Sequence, residues 1–317
     1  MAVAIGIWMT SMLVGAVTPS GTFAVKELAP EALSAVAEST ARVTLFYPAS
    51  APTDVRFPIL VYFADWDGTQ IDNRRLLEDL TSHGFVIAAV TYPNSGEPMD
   101  FSSQAAFEAT VRIANARAHA RMQDAARVLD WVDSSGIASL TDTSRAGILG
   151  YSFGGAVAAE ACASDQRFRA ALNIDGWHFG EAAKSGTHCP YMLINDATPE
   201  PTEADLNAQD PARRYTSRLN QADFRVIETA LTRPDVYALT VANSNHADFA
   251  EPSSWLRSLF SGRGSKNTPR RNLEILRAYA LAFFAKYLLE SKQPLIDGNS
   301  KNFPDVQVRL GRVSVRP

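Results

Sequence analysis

The chain has 317 residues, 46% of them apolar, enough to enclose one large core or two modest ones. A formal net charge of −4 and a pI near 5.8 give no electrostatic basis for nucleic acid as a partner. The two cysteines, Cys162 and Cys189, rule out a disulfide framework and a zinc-finger spacing, and suffice for one bond if the fold brings them together.

The segment MAVAIGIWMTSMLVGAV is apolar, and no charge appears before Lys26. It is too short for a membrane span but has the length of a secretory apolar region, and TPSGTFA after it suits a processing zone. Residues 1–25 therefore read as a signal peptide, which implies a secreted or periplasmic protein. No Lys or Arg precedes the segment, and the alternative is a buried first element of a cytoplasmic chain. Residues 26–317 read as one domain.

Beyond that segment, strand-like runs alternate with helix-like ones. ARVTLFYPA (41–49) and FPILVYFAD (57–65) read as strands, the second buried on both faces. A helix over 73–82 stops at Gly84, and FVIAAVTYP (85–93) is the next strand. Phe107, Val111, Ala114, Ala118, Met122, Ala125, Leu129 and Val132 recur at steps of three and four, one stripe on a long helix. RAGILG (145–150), RAALNID (169–175), CPYMLIND (189–196) and VYALTVAN (236–243) are further strands, each running into a polar loop. A last helix over 273–289 repeats through Leu276, Ala280, Phe283 and Tyr287, a core-packing stripe. Residues 197–235 carry the least pattern and are expected to make an excursion over the sheet; Arg270 and Arg271 read as a solvated helix start. The alternation predicts an α/β fold with a mostly parallel central sheet flanked by helices.

One stretch carries chemistry. In Gly150-Tyr151-Ser152-Phe153-Gly154 an apolar strand enters a serine flanked by glycines, and GAVAAEACA follows as a helix of small residues. A strand–turn–helix of this kind exposes a nucleophilic serine on a strained turn, with a helix N-terminus aimed at it. A serine hydroxyl needs a base to take its proton and a carboxylate to orient that base. In α/β-hydrolases the chain order is Ser, acid, His, with the reactive groups at the C-terminal ends of parallel strands. His83 and His188 precede strands, His119 lies inside the long helix ahead of the serine, and His178 is three residues from the first acid candidate. His246, after the last predicted strand, has the right edge and order. The acid is either Asp175, ending the first strand after the serine, or Asp196, ending the second; topology slightly prefers Asp196.

Together, FPILVYFADWDGT, LTSHGFVIAAVTYP, SRAGILGYSFGGAVAAEACASDQRFRAALNIDGWHFG, CPYMLIN and NHADFAE resemble the plasma-type platelet-activating factor acetylhydrolases and their bacterial lipase-like relatives, over residues 41–290. The resemblance implies an α/β-hydrolase fold and a Ser152–His246–Asp175 triad, the acid falling in the family's Asp-x-Trp segment at IDGWHF. It implies an oxyanion hole from the backbone N–H groups of Phe153 and Trp66. Two departures stand out: Gly-Tyr-Ser where the family has Gly-His-Ser, and Phe63-Ala64-Asp65 where it has Ser-His-Gly. The implied reaction is hydrolysis of carboxylic esters, including phospholipids with a short or oxidised second acyl chain, through an acyl-enzyme. It calls for no metal and no cofactor. The expected partner is a small ester or phospholipid, with transient contact at a lipid interface. Trp255, Leu256, Leu259 and Phe260 offer an acyl wall or such a contact, with ordinary packing the preferred reading. The rival readings are a dienelactone-hydrolase-like or polyester-cleaving enzyme, an acyltransferase with the same triad, and a non-catalytic binding module on the same scaffold.

Overall fold

Strand β3 (Phe57–Phe63) is apolar throughout and buried at all seven positions, the signature of a strand covered on both faces. In the computed structural model, which describes residues 18–32, 40–49, 52, 54–94, 96–251 and 267–312, it lies near the middle of a nine-stranded sheet. The other strands are β1 (Val25–Ala32), β2 (Arg42–Pro48), β4 (Val86–Thr91), β5 (Thr141–Tyr151), β6 (Phe168–Ile174), β7 (Tyr191–Asn195), β8 (Val236–Val241) and β9 (Val306–Leu310). The sheet order is β1-β2-β4-β3-β5-β6-β7-β8-β9. From β4 to β8 every pairing is parallel, whereas β1–β2, β2–β4 and β8–β9 are antiparallel.

Alternation along β3 divides the core. Phe57, Ile59, Val61 and Phe63 pack on one face against the long helix α2 (Gln104–Asp133) and α3 (Phe153–Ser164). Leu60 and Tyr62 pack on the other, with α1 (Arg74–Ser82) and the C-terminal helix α7 (Pro269–Leu288). The short helix α4 (Gly180–Ser185) joins the first face through Ala182. Thus the parallel sheet with helices on both faces, expected from the alternating runs, is the fold observed.

The sequence reading misses β1, β9, α4, α5 (Glu203–Leu206) and α6 (Pro211–Ala230). β1, VKELAPEA, carries three charged residues and a proline, and in β9 only Val306 is buried, with exposed and half-buried residues alternating after it, so neither has a core-strand pattern. Both take their form from pairing at the sheet edges. Residues 197–235, without a strong stripe, form α5 and α6; Asp210 caps α6 through the Ala212 and Arg213 N–H groups, and Ile227 anchors it to the core. Arg271 is not merely solvated: it pairs with Asp305 at 2.7 Å and lies over the Phe303 ring, fastening α7 to the segment before β9.

Residues 1–17, which make up most of the expected signal peptide, lie outside the described residues, as do Trp255, Leu256, Leu259 and Phe260. Among the described residues no helix is long and apolar enough to cross a membrane.

Cys162 on α3 and Cys189 ahead of β7 form a disulfide, with Cα atoms 5.4 Å apart across 27 residues of sequence. Closing a loop of that length restricts the unfolded chain. Replacing both cysteines by serine is expected to lower the unfolding free energy by about 2–4 kcal/mol, read from urea denaturation.

Candidate active site

Strand β5 runs straight into Ser152, whose backbone adopts φ 54° and ψ −120°, a conformation that non-glycine residues rarely hold. Its N–H donates to the Ile174 carbonyl at 2.8 Å, and its carbonyl accepts from Gly155 at 2.9 Å. The flanking glycines allow the turn. A Cβ on Gly150 would lie 2.2 Å from the Gly154 carbonyl carbon, and one on Gly154 would lie 2.0 Å from the Phe63 oxygen. Backbone occupies both spaces, so no side-chain rotation relieves either clash.

Asp175 leaves β6 in the same left-handed region, at φ 56°, with its N–H on the Ile194 carbonyl at 2.9 Å. Its Oδ2 lies 2.6 Å from His246 Nδ1, and its Oδ1 accepts from the Asp196 backbone N–H at 2.9 Å. His246 opens a short 3₁₀ turn after β8, and its Nε2 lies 3.0 Å from Ser152 Oγ. Ser152, His246 and Asp175 are therefore joined in one hydrogen-bonded row. Asp196 is drawn to the row as a support for Asp175 through its own main chain.

The loop bearing His246 is held from several sides. Asn245 and Asp248 cap each other across the turn, and Asn73 donates its side-chain amide to the Phe249 carbonyl. Tyr151 donates its hydroxyl to the His246 carbonyl at 3.0 Å and stacks on the imidazole, with centroids 5.0 Å apart. The tyrosine at the departure Gly-Tyr-Ser thus braces the histidine loop.

Burial by the surrounding protein disfavours the imidazolium of His246. The hydrogen bond and charge of Asp175 outweigh that, with Asp196 and Asp65 adding, so its pKa rises above 6.5. The Asp196 carboxyl is pushed above the usual carboxylate range by burial first and then by Asp175.

The remaining histidines are engaged elsewhere. His178 is buried between Asp223, at 2.6 Å, and the Tyr191 hydroxyl, at 2.8 Å. His83 bonds Ser20 Oγ, and His119 lies 3.7 Å from Glu160. The His188 main chain donates to the Cys162 carbonyl.

A cavity of about 420 Å³ opens beside Ser152 and His246. Trp66, Phe153, Trp177, Phe179 and Phe224 supply aromatic walls, the last from α6; among the described residues, Asp175, Asp196 and Asp223 bring carboxyl groups to its lining, and no Lys or Arg does so. Phe153 is the first residue of α3, where backbone N–H groups lack an intrahelical acceptor, and its ring meets Trp66 edge-on at 4.7 Å. Among the described residues no group of three or more His, Cys, Asp or Glu side chains is placed to hold a metal ion.

One buried group escaped the sequence reading. Arg121 of α2 is only 5% exposed and donates to the Asp65 and Trp66 carbonyls at 3.0 and 3.1 Å. Burial lowers its pKa to about 10, which leaves it a cation at neutral pH. A signal was present: position 121 falls on the apolar stripe, three residues after Ala118 and four before Ala125.

The sheet order, the strained serine between β5 and α3, and the placement of acid and histidine beyond later parallel strands are those of an α/β-hydrolase fold. The chain belongs to the family described as platelet-activating factor acetylhydrolase, isoform II, whose profile matches residues 135–303; that of the dienelactone hydrolase family matches residues 44–202. It is 23% identical over 289 residues to a platelet-activating factor acetylhydrolase of Cavia porcellus, covering 79% of this chain and 63% of that one. It is 22% identical over 270 residues to a probable 1-alkyl-2-acetylglycerophosphocholine esterase of Arthroderma benhamiae, covering 78% and 65%. The chain thus spans somewhat less than two thirds of the length of these curated relatives. Among solved structures, a ferulic acid esterase from Streptomyces cinnamoneus shares the fold, with a TM-score of 0.66 and 21% identity over 92% of this chain and 98% of that one.

Because the folded pKa of His246 is raised, its charged pairing with Asp175 adds stability that is complete below about 6.5 and lost as pH rises through the folded value. An NMR titration of the His246 ring is expected to show a midpoint above 6.5 in the wild type, and a lower one in Asp175→Asn.

Proposed function

We propose that this protein is a serine carboxylic-ester hydrolase in which Ser152 attacks, His246 carries the proton and Asp175 orients His246. The observation that carries the reading is the continuous row Ser152 Oγ–His246 Nε2 at 3.0 Å and His246 Nδ1–Asp175 Oδ2 at 2.6 Å. Neutral His246 takes the Ser152 proton as Oγ adds to the ester carbonyl. The negative charge on the tetrahedral oxygen is met by the Phe153 N–H at the start of α3 and by the Trp66 N–H. His246 then gives its proton to the leaving alcohol. Water, deprotonated by the same imidazole, releases the acid from the acyl-enzyme. Asp175 remains ionised and stabilises the imidazolium at each step.

Substrate chemistry follows from the cavity. Three aspartate side chains, with no Lys or Arg among the described lining residues, disfavour an acyl group that carries its own negative charge. A neutral acyl chain fits, and the named relatives support esters of the acetylglycerophosphocholine type, with the polar headgroup left outside. The second reading, a hydrolase of aromatic or polymeric esters, is favoured by the aromatic walls at Trp66, Trp177 and Phe224. Export to an oxidising compartment is supported by the Cys162–Cys189 bond and by the apolar N-terminal segment.

The test is hydrolysis of p-nitrophenyl esters of two to twelve carbons beside an aromatic acyl ester. Ser152→Ala is expected to lose about 10⁶-fold in kcat, and Asp175→Asn about 10⁴-fold. Asp196→Asn, which keeps the main-chain support of Asp175, is expected to stay within about tenfold of the wild type. Activity unchanged in Ser152→Ala overturns the proposal, and a preference for the aromatic ester selects the second reading.

A further inference from the structure

The loop after β3 is folded around a cation. Arg121 Nη1 donates to the Asp65 carbonyl at 3.0 Å and Nη2 to the Trp66 carbonyl at 3.1 Å. The guanidinium lies over the Tyr92 ring at 4.6 Å and the Phe153 ring at 5.2 Å. The turn closes upon it: Asp65 Oδ1 accepts from the Gly68 N–H at 3.2 Å, and the Gly68 carbonyl accepts from Tyr92 at 2.8 Å. Gly68 has φ +68°, and a Cβ there would stand 2.6 Å from Arg121 Nη2. The other side of the loop is pinned by the Asp65 N–H on Asp72 Oδ2 at 3.1 Å.

The geometry of the peptide unit gives these contacts a consequence. In a trans peptide the C=O and N–H point in opposite directions, and none of the described peptides is cis. The Asp65 carbonyl and the Trp66 N–H belong to one peptide unit. By holding that carbonyl toward α2, Arg121 turns the Trp66 N–H away from α2. No cavity-lining residue comes from α2, whereas Trp66, Ser152 and Phe153 all line the cavity, so the end turned away from α2 is the end available to Ser152.

We infer that Arg121 is the positioning residue of the oxyanion hole: it aims the Trp66 N–H at the oxygen of the tetrahedral intermediate, through the peptide it grips, and steadies Phe153, the source of the second N–H, by contact with its ring. The inference rests on the proposed serine-esterase reading. It also accounts for the departure at Phe63-Ala64-Asp65, since Arg121 from α2 and Asp72 hold the loop in shape through its main chain, with no demand on the side chains at 63 and 64.

The test separates aiming from mere packing. Arg121→Gln and Arg121→Lys are compared with the wild type on a short p-nitrophenyl ester, with folding checked by circular dichroism and thermal unfolding. Arg121→Gln is expected to lose about a hundredfold in kcat, the effect of one lost oxyanion donor, with KM within about twofold. Arg121→Lys, which keeps the charge and one donor, is expected to recover part of the loss. Affinity for a trifluoromethyl ketone with the same acyl chain is expected to fall in parallel with kcat/KM. On ¹⁵N-labelled wild type, phosphonylation of Ser152 is expected to move the Trp66 amide proton downfield. That measurement decides the matter if neither variant folds. A folded Arg121→Gln with unchanged kcat, a loss confined to KM, or a Trp66 amide unmoved by phosphonylation overturns the inference alone. A wild type that neither hydrolyses esters nor takes the phosphonate overturns the esterase reading and the inference with it.

Discussion

Everything at the site depends on how the parallel strands β5, β6 and β7 hand their ends to one another. The Ser152 N–H is held by the last residue of β6, and the Asp175 N–H by the penultimate residue of β7. Each bond anchors a residue whose φ lies near +55°, a value a lone turn would not keep. The strain is borne by the sheet, whose central strands are buried on both faces and have no room to shift. A serine and an aspartate are thereby projected from neighbouring strand ends at a fixed separation, and the loop after β8 brings His246 between them.

The electrostatics divide around that row. On the histidine side stand Asp175 and Asp196, which favour the imidazolium. On the other side, behind the loop after β3, lies the buried Arg121 cation. In the proposed reaction, a proton moving to His246 and a negative charge growing on the substrate oxygen would each be met by groups of opposite sign. In that proposal the dipoles that would meet the oxygen, N–H groups at the start of α3 and at Trp66, are set in place before any substrate arrives. One sits at a helix start and the other in a loop pinned by Arg121 and Asp72, so the proposal requires little reorganisation when charge develops.

The surrounding elements are less regular and serve the row in different ways. Tyr151, Asn73 and the Asn245–Asp248 cap hold the histidine loop; α6 closes the cavity with Phe224 and is tied back to the acid loop through His178–Asp223 and Trp177–Asn220. A side chain from α6 therefore shapes the cavity while its neighbours fasten it to the loop that carries Asp175.

Much of this was legible in the sequence. The apolar runs of β3 to β8, the stripe of α2 and the glycines around Ser152 each reflect a local requirement: burial on two faces, a helix face, or main chain packed where a Cβ would stand. Order along the chain and strand-end position single out His246 from five histidines as the candidate base. They were not enough to choose between Asp175 and Asp196, because both end parallel strands and differ only in which side chain meets the imidazole. That difference is one of tertiary geometry, as are the edge strands β1 and β9, which exist through pairing, and the disulfide, which depends on the approach of two distant Cα atoms. Arg121 belongs to the same class. Its place on an apolar stripe is visible in the sequence, but its partners are backbone carbonyls more than fifty residues away, and no residue pattern encodes a carbonyl.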